Sequence, residues 1–313
     1  MQYSYLNGQK ISKLTLGTVA MGKDYGISNK EGKPPLNESR YILSHALHQG
    51  INCIDTANDY GNAEQIIGTY LEDVPQREPV NVVTKFKISP SALSDTSLAK
   101  EEAYASIRSS LRLLKTDRLA VCLFHKTIDQ DAHSIARFLP GLFAELQQDG
   151  LVDICGVSVY HPDELNVFLD YPILQAFQSP MNVFDQRLLR NGALQRVCAE
   201  KKILFIRSVF LQGLFFMHPE ELKGTLTAAS GYLRMLRNIA EEKGLTVAQL
   251  AFSFLRDIEG IASLVFGAVH PDQVDQNIGW LDTPPLDRFT RQKLEDVFSE
   301  VPEKIIMPGL WTL

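Results

Sequence analysis

Cysteine is scarce and scattered in this chain: Cys53, Cys122, Cys155 and Cys198 show none of the paired spacing of a metal site. Three of them stand in apolar runs, where cysteine behaves as a small hydrophobe, so a reduced, cytoplasmic protein without structural metal is expected. No apolar run is long enough to span a bilayer, and Met1 to Tyr5 has no charged region followed by an apolar stretch. Neither a secretory leader nor a membrane partner is therefore expected. Runs of five or more basic residues are missing and the net charge is -6. A nucleic-acid partner would need a concentrated positive face, so that class is excluded. Linkers rich in Pro, Gly and Ser are absent too, and the 313 residues read as one domain over 1–313.

What is present is an ordinary apolar fraction, 45%, beside 22% charged residues, enough for a substantial core. Tyr3 to Leu6 and Lys10 to Leu14 flank Asn7-Gly8, the signal of a tight β-hairpin that precedes the repeating pattern as a cap. Strand and helix then alternate. Short apolar strands are expected at Leu14–Val19, Ile51–Asp55, Val80–Thr84, Leu119–Phe124, Ile154–Ser158, Ile173–Gln178, Ile203–Ser208 and Ile261–Phe266. Between them run helices at about 37–49, 62–71, 97–114, 135–146, 162–169, 189–201, 232–243 and 247–256, with two more at about 271–278 and 287–300. About eight strands, each too apolar to face water, alternating with helices, point to an α/β fold: a (β/α)8 TIM barrel with an N-terminal β-hairpin cap.

The residues just past each strand of such a barrel gather around one opening. Asp55 ends the strand that opens the stretch Asp55-Thr56-Ala57-Asn58-Asp59-Tyr60-Gly61, Asn62 is a plausible N-cap for the next helix, and Lys85 and His125 follow the next two strands. Taken singly, these are an Asp capping its loop, a packed Tyr, a rim Lys and a satisfied His. Together they form a proton-transfer group. Asp55 would pair a desolvated Lys85, Lys85 would lower the pKa of Tyr60, Tyr60 would give a proton to a carbonyl oxygen, and His125 would orient that oxygen. No nucleophile with an adjacent base and no metal ligand set is apparent, so a hydride must come from a cofactor.

Asp55-Thr56-Ala57, Tyr60-Gly61 and Glu64, with Thr84-Lys85 and Phe124-His125, resemble the aldo-keto reductase family, and the resemblance extends over almost the whole chain. Gly17-Thr18 resembles the family's first strand, Gly156-Val157-Ser158 its fifth, Gln178 with Asn182 its sixth, Ser208 with Gln212-Gly213 its seventh-strand loop, and Gly267-Ala268 with Gln273 and Asn277 its last cofactor segment. The resemblance implies NADP(H), with NAD(H) second, bound across the barrel top. Tyr60 is then the acid/base, Lys85 and Asp55 its tuning pair, and His125 the carbonyl orienter. Gly17 and Thr18 join the cofactor contacts. Ser158 and Gln178 are implied at the nicotinamide carboxamide, Ser208, Phe210 and Gly213 along the pyrophosphate, and Gly267, Gln273 and Asn277 toward the adenosine end.

Three positions depart from the family pattern. Val159 replaces an Asn that would bond the carboxamide, Arg207 stands where an aromatic commonly precedes the Ser, and Gly267 and Gln273 stand where Lys and Arg would clamp a 2′-phosphate. Arg207 either lies against the nicotinamide or reaches an anionic substrate or a cofactor phosphate. The first long loop, Asp24 to Pro34, and the insertion Phe210 to Gly231 are expected to wall the substrate pocket. The expected activity is NAD(P)H-dependent reduction of an aldehyde, ketone or sugar carbonyl to an alcohol, or the reverse. The alternative is a nucleotide-binding regulatory or scaffold protein with little turnover.

Overall fold

The computed structural model describes residues 1–6, 8–75 and 78–312. Strands β1 (Tyr3–Leu6) and β2 (Gln9–Ser12) pair antiparallel, Leu6 opposite Gln9. The hairpin is present as expected, although Asn7 of its turn lies outside the described residues. Eight parallel strands follow: β3 (Leu14–Gly17), β4 (Cys53–Asp55), β5 (Asn81–Phe86), β6 (Leu119–His125), β7 (Val152–Ser158), β8 (Leu174–Pro180), β9 (Ile203–Arg207) and β10 (Ser263–Gly267). They form a closed barrel in sequence order, with β10 bonded to both β9 and β3. Helices fill the connections, and the expected (β/α)8 barrel is the fold.

Side chains on a strand alternate between its two faces, and the core divides along that alternation. Cys53, Val83, Val121, Leu123, Ile154, Ala176, Ile203 and Phe205 form a small cluster of their own inside the barrel. Their chain neighbours Ile54, Cys122, Phe124, Cys155, Phe177 and Leu204 belong to the larger cluster packed under the helices. Continuing the inward face by two residues beyond this apolar layer gives Asp55, Lys85, His125, Gln178 and Arg207. The strand register therefore raises a polar layer at the carboxyl end of the barrel, directly on top of an apolar one. The opposite end is closed by the hairpin. Ile11, 1% exposed, joins the interior cluster, and Asn52 and Asn81 each donate to the Lys10 carbonyl at 2.8 Å.

Several boundaries differ from the sequence reading. The first barrel strand ends at Gly17, and Val19–Gly22 is a short helix. Lys85 lies within β5, which runs on to Phe86. The helix expected from about Leu189 is a 3-10 turn, Arg187–Leu189, followed by Ala193–Ala199. Asn62 precedes the helix Ala63–Asp73, but its side chain makes no cap; its Oδ1 accepts from Lys33 instead. Asp95, Asp131 and Asp287 do cap their helices through backbone N–H groups. The last turns, Glu303–Ile306 and Pro308–Leu310, were not foreseen.

Because Ile11 is buried in the interior cluster at the lower end of the barrel, Ile11→Ala should destabilise the protein by about 3 kcal/mol. Urea unfolding followed by circular dichroism measures this. A loss under about 1 kcal/mol would show that the hairpin is an ornament on a self-sufficient barrel.

Candidate active site

A cavity of about 870 Å³ opens at the carboxyl end of the barrel. Of the residues singled out from sequence, Asp55, Tyr60, His125 and Gln178 line it, as do Arg207, Ser208, Phe210 and Gly213, and Gly17, Gly267 and Gln273. Lys85, Thr18, Ser158 and Asn277 do not reach its wall.

Lys85 lies behind Asp55. Its ammonium donates to Asp55 Oδ1 at 2.6 Å and to the Thr56 carbonyl at 2.9 Å, with its side chain fully buried. Burial pulls the Lys85 pKa down, against the pull of Asp55 in the other direction. Thr18 acts from below: its Oγ1 donates to the Asp55 carbonyl at 2.9 Å. Glu64, 2% exposed, accepts from Thr84 Oγ1 at 2.6 Å and so ties the helix after Tyr60 to the strand that carries Lys85. The Tyr60 loop is seated by contact with the helix Val19–Gly22: a Cβ at Gly22 would fall 1.6 Å from the Tyr60 carbonyl oxygen, so only glycine allows this approach.

Tyr60 is half-buried, with Lys85 Nζ at 5.1 Å and Lys23 Nζ at 5.5 Å from its ring centroid. Burial, then the negative charge of Asp55, push its pKa well above the ordinary phenol value. The expectation that Lys85 lowers the Tyr60 pKa is therefore corrected. Lys85 is committed to Asp55, and the pair leaves little net positive charge for the phenol. His125 packs edge-on to Tyr60, with centroids 6.5 Å apart. Its Nδ1 is buried without a hydrogen-bond partner, 3.8 Å from Asp59 Oδ1. Burial, with Lys85 and Lys87, drives the His125 pKa well below its ordinary value, so the ring is neutral at neutral pH. Asp59 accepts from Lys87 at 2.6 Å. Burial opposes its ionisation, but Lys87 and His125 outweigh it and hold the carboxyl below the usual range.

Gln178, 1% exposed, donates to Asp55 Oδ1 at 2.7 Å and accepts from Ser158 Oγ at 3.3 Å. Its amide is thus part of the acid–lysine cluster. Beyond β9 the backbone is left-handed at Ser208, Leu211 and Gln212, with φ of 63°, 49° and 53°, and at Gly213. Three non-glycine residues in that region signal stored strain; the Leu211 and Gly213 N–H groups bond the Ser208 and Phe210 carbonyls within the loop, and the turn so formed is of the kind whose remaining N–H groups cup an anion. This loop and the buried side chain of Gln178 line one cavity, whose volume of about 870 Å³ fits a dinucleotide. Gln273 faces the cavity, but its Oε1 accepts from Val269 N at 2.7 Å and from His270 N, boxing the start of the helix Pro271–Gly279. Asn277 donates to the Gln273 carbonyl at 2.7 Å, and its Oδ1 is buried without a partner.

Sequence reading missed Lys23, Asp59, Lys87 and Tyr160 on the cavity wall, together with Ile306 to Leu310. Asp59 was legible as the residue next to Tyr60, and Lys87 as the residue just past β5; Tyr160 and the C-terminal segment had no local signal. The first loop does wall the cavity, from Tyr25 to Glu31, folded on Asn29 and tied to the second loop by Ile27 N to the Gln212 carbonyl at 3.0 Å. Of the insertion, only the part from Phe210 to Phe216 does so.

The two cavity histidines should titrate apart. Glu31, 2.5 Å from His270, raises the His270 pKa, whereas His125 stays neutral. In an NMR titration from about pH 8 to about pH 6, His270 should protonate first and His125 should not protonate at all. For His125 the folded pKa lies below the unfolded one, so its contribution to stability is complete above the unfolded value and is lost as pH falls toward the folded value. A His125 midpoint at or above its ordinary value would overturn this assignment.

Residues 13–297 match the model of the aldo/keto reductase family. The chain is 24% identical over 314 residues to L-glyceraldehyde 3-phosphate reductase of Escherichia coli O157:H7, covering 89% of this chain and 87% of that one. It is 24% identical over 318 residues to a probable voltage-gated potassium channel subunit beta of Oryza sativa subsp. japonica, covering 91% and 93%. Its fold matches that of an aldo-keto reductase from Bacillus halodurans in its holo form, with a TM-score of 0.76, 21% identity and coverage of 98% and 99%. The barrel, the buried Asp55–Lys85 pair beside Tyr60 and His125, and the match over residues 13–297 place this chain in the aldo/keto reductase family.

Proposed function

We propose that the protein reduces a small aldehyde, ketone or sugar carbonyl with NAD(P)H, with Tyr60 as the proton donor. The observation that carries this reading is the buried Asp55–Lys85 ion pair, 2.6 Å long, set behind a phenol whose raised pKa keeps it protonated. NAD(P)H, when bound, supplies the hydride. Gln178, on the cavity wall and braced from behind by Ser158, would hold its carboxamide end, and the loop from Ser208 to Gly213 its phosphates. His125, neutral and nine-tenths buried, orients the carbonyl oxygen by a hydrogen bond. As negative charge grows on that oxygen, the Tyr60 proton moves to it. The phenolate left behind is stabilised by Lys23, 5.5 Å from the ring centroid, and by the charge of Arg207.

NADPH and NADH consumption against a panel of small aldehydes and aldoses tests this, with Tyr60→Phe in parallel. Turnover by the wild type should fall about 100-fold or more in the mutant. Equal rates in both would remove Tyr60 from the mechanism. A second reading, a regulatory nucleotide-binding protein, is favoured by the relative named as a potassium channel subunit beta. Nucleotide binding without turnover across the whole panel would establish that reading in its place.

The choice of cofactor falls at Gly267 to Asn277, a stretch without Lys or Arg. Glu31 and Glu38 flank His270 there, at 2.5 and 3.6 Å, and this local charge weighs toward NAD(H) over NADP(H). Gln273 is a poor place to restore a cation, because its side chain caps a helix. At Gly267 a Cβ meets nothing within 4 Å. Gly267→Lys should therefore tighten NADPH binding roughly tenfold with little effect on NADH, read as dissociation constants from quenching of protein fluorescence. A parallel change for both nucleotides would move the 2′-phosphate away from this position.

A further inference from the structure

The cations on the cavity wall divide into paired and unpaired ones, and of the unpaired ones Lys23 and Lys30 are exposed to water while Arg207 is half-buried. Lys87 is paired with Asp59 at 2.6 Å, Arg187 with Asp185 at 2.8 Å, and His270 with Glu31 at 2.5 Å. Arg207 has no carboxylate within ion-pair distance among the described residues. Its Nη2 donates to the Val159 carbonyl at 2.9 Å and its Nη1 to Ser208 Oγ at 3.4 Å, while its Nε is buried with no partner. The guanidinium lies 4.8 Å over the Tyr160 ring, and Tyr160 stacks in turn on His125 at 6.4 Å with planes 5° apart. Arg207 is thus held rigidly in one layer with the carbonyl-orienting histidine. Its charge also reaches Tyr60 and His125, lowering the pKa of each. Lys23, the other unpaired cation beside Tyr60, bonds only the Asp59 carbonyl, at 3.2 Å.

A half-buried guanidinium without a counter-ion is costly to maintain, and its fork matches a carboxylate or phosphate. We propose that Arg207, assisted by Lys23 at the rim, receives the carboxylate or phosphate of a small carbonyl substrate whose reacting oxygen lies at Tyr60 and His125. The proposal rests on the oxidoreductase reading and narrows its substrate to anionic carbonyl compounds. Val159 has a part in it: where the family has a side chain for the carboxamide, this chain uses a backbone carbonyl to fix Arg207.

Calorimetry on the full-length protein loaded with NADH, using benzoate, phenyl phosphate and neutral benzamide as probes, tests the site apart from turnover. The wild type should prefer a charged probe over benzamide by about 10- to 100-fold. Arg207→Gln should abolish that preference, and Arg207→Lys should retain part of it. The same ratio should appear in kcat/KM for succinic semialdehyde against butanal. A preference unchanged in Arg207→Gln would overturn the proposal. So would weaker NADH binding with the probe ratio unmoved, since the anion would then be a cofactor phosphate. Equal turnover of both aldehydes sinks the anionic substrate and leaves the oxidoreductase reading standing. Selective benzoate binding without turnover of any aldehyde upholds the anion site and removes that reading.

Discussion

A lysine ammonium with no exposed surface, 2.6 Å from an aspartate, organises everything above the barrel's apolar interior. Two charges removed from water are tolerated only when each finds enough hydrogen bonds. Here Lys85 bonds Asp55 and the Thr56 carbonyl, while Asp55 also accepts from Gln178. The pair draws on β4, β5 and β8 at once, so it fixes the relative position of three strand ends. Truncating either partner would leave an uncompensated charge in the most constrained part of the molecule. The phenol and imidazole above then inherit a rigid floor, which proton transfer over hydrogen-bond distance requires.

The position of that floor follows from pleating. Lys85 stands two positions after Val83, Asp55 after Cys53, His125 after Leu123 and Arg207 after Phe205, so each polar side chain points where the apolar one below it points. Closure of the barrel brings these separate ends around one cavity. A one-residue slip in any of these strands would move its polar residue to the helix side and put a chain neighbour in its place.

The same rigidity explains the electrostatics. Lys85 is largely neutralised by Asp55, so Tyr60 feels burial and carboxylate more than ammonium and keeps its proton. His125 feels burial and the surrounding lysines and stays neutral. The half-buried unpaired charge beside them belongs to Arg207, stacked on Tyr160, with Lys23 exposed at the rim. The cavity thus sets a neutral phenol and a neutral imidazole beside a half-buried cation without a counter-ion.

Much of this was legible in the sequence, because its signals are local. Apolar runs of strand length alternating with helical stripes gave the barrel, and Asn7-Gly8 gave the hairpin. Asp55, Tyr60, Lys85 and His125 were recognisable by their places at consecutive strand ends. Local signals could not show which way a side chain is committed: Asn62 looked like a cap but accepts from Lys33, and Gln273, which does line the cavity, also boxes a helix. Burial and partnership across the fold decided that Tyr60 is pushed up in pKa rather than down, and that Gln178 bonds Asp55. They also decided that Ile306 to Leu310 return to the cavity wall. Chain propensity and periodicity act over a few residues and determined the elements; hydrogen bonds and charges between residues as far apart as the 123 positions from Asp55 to Gln178 exist only once the barrel has closed.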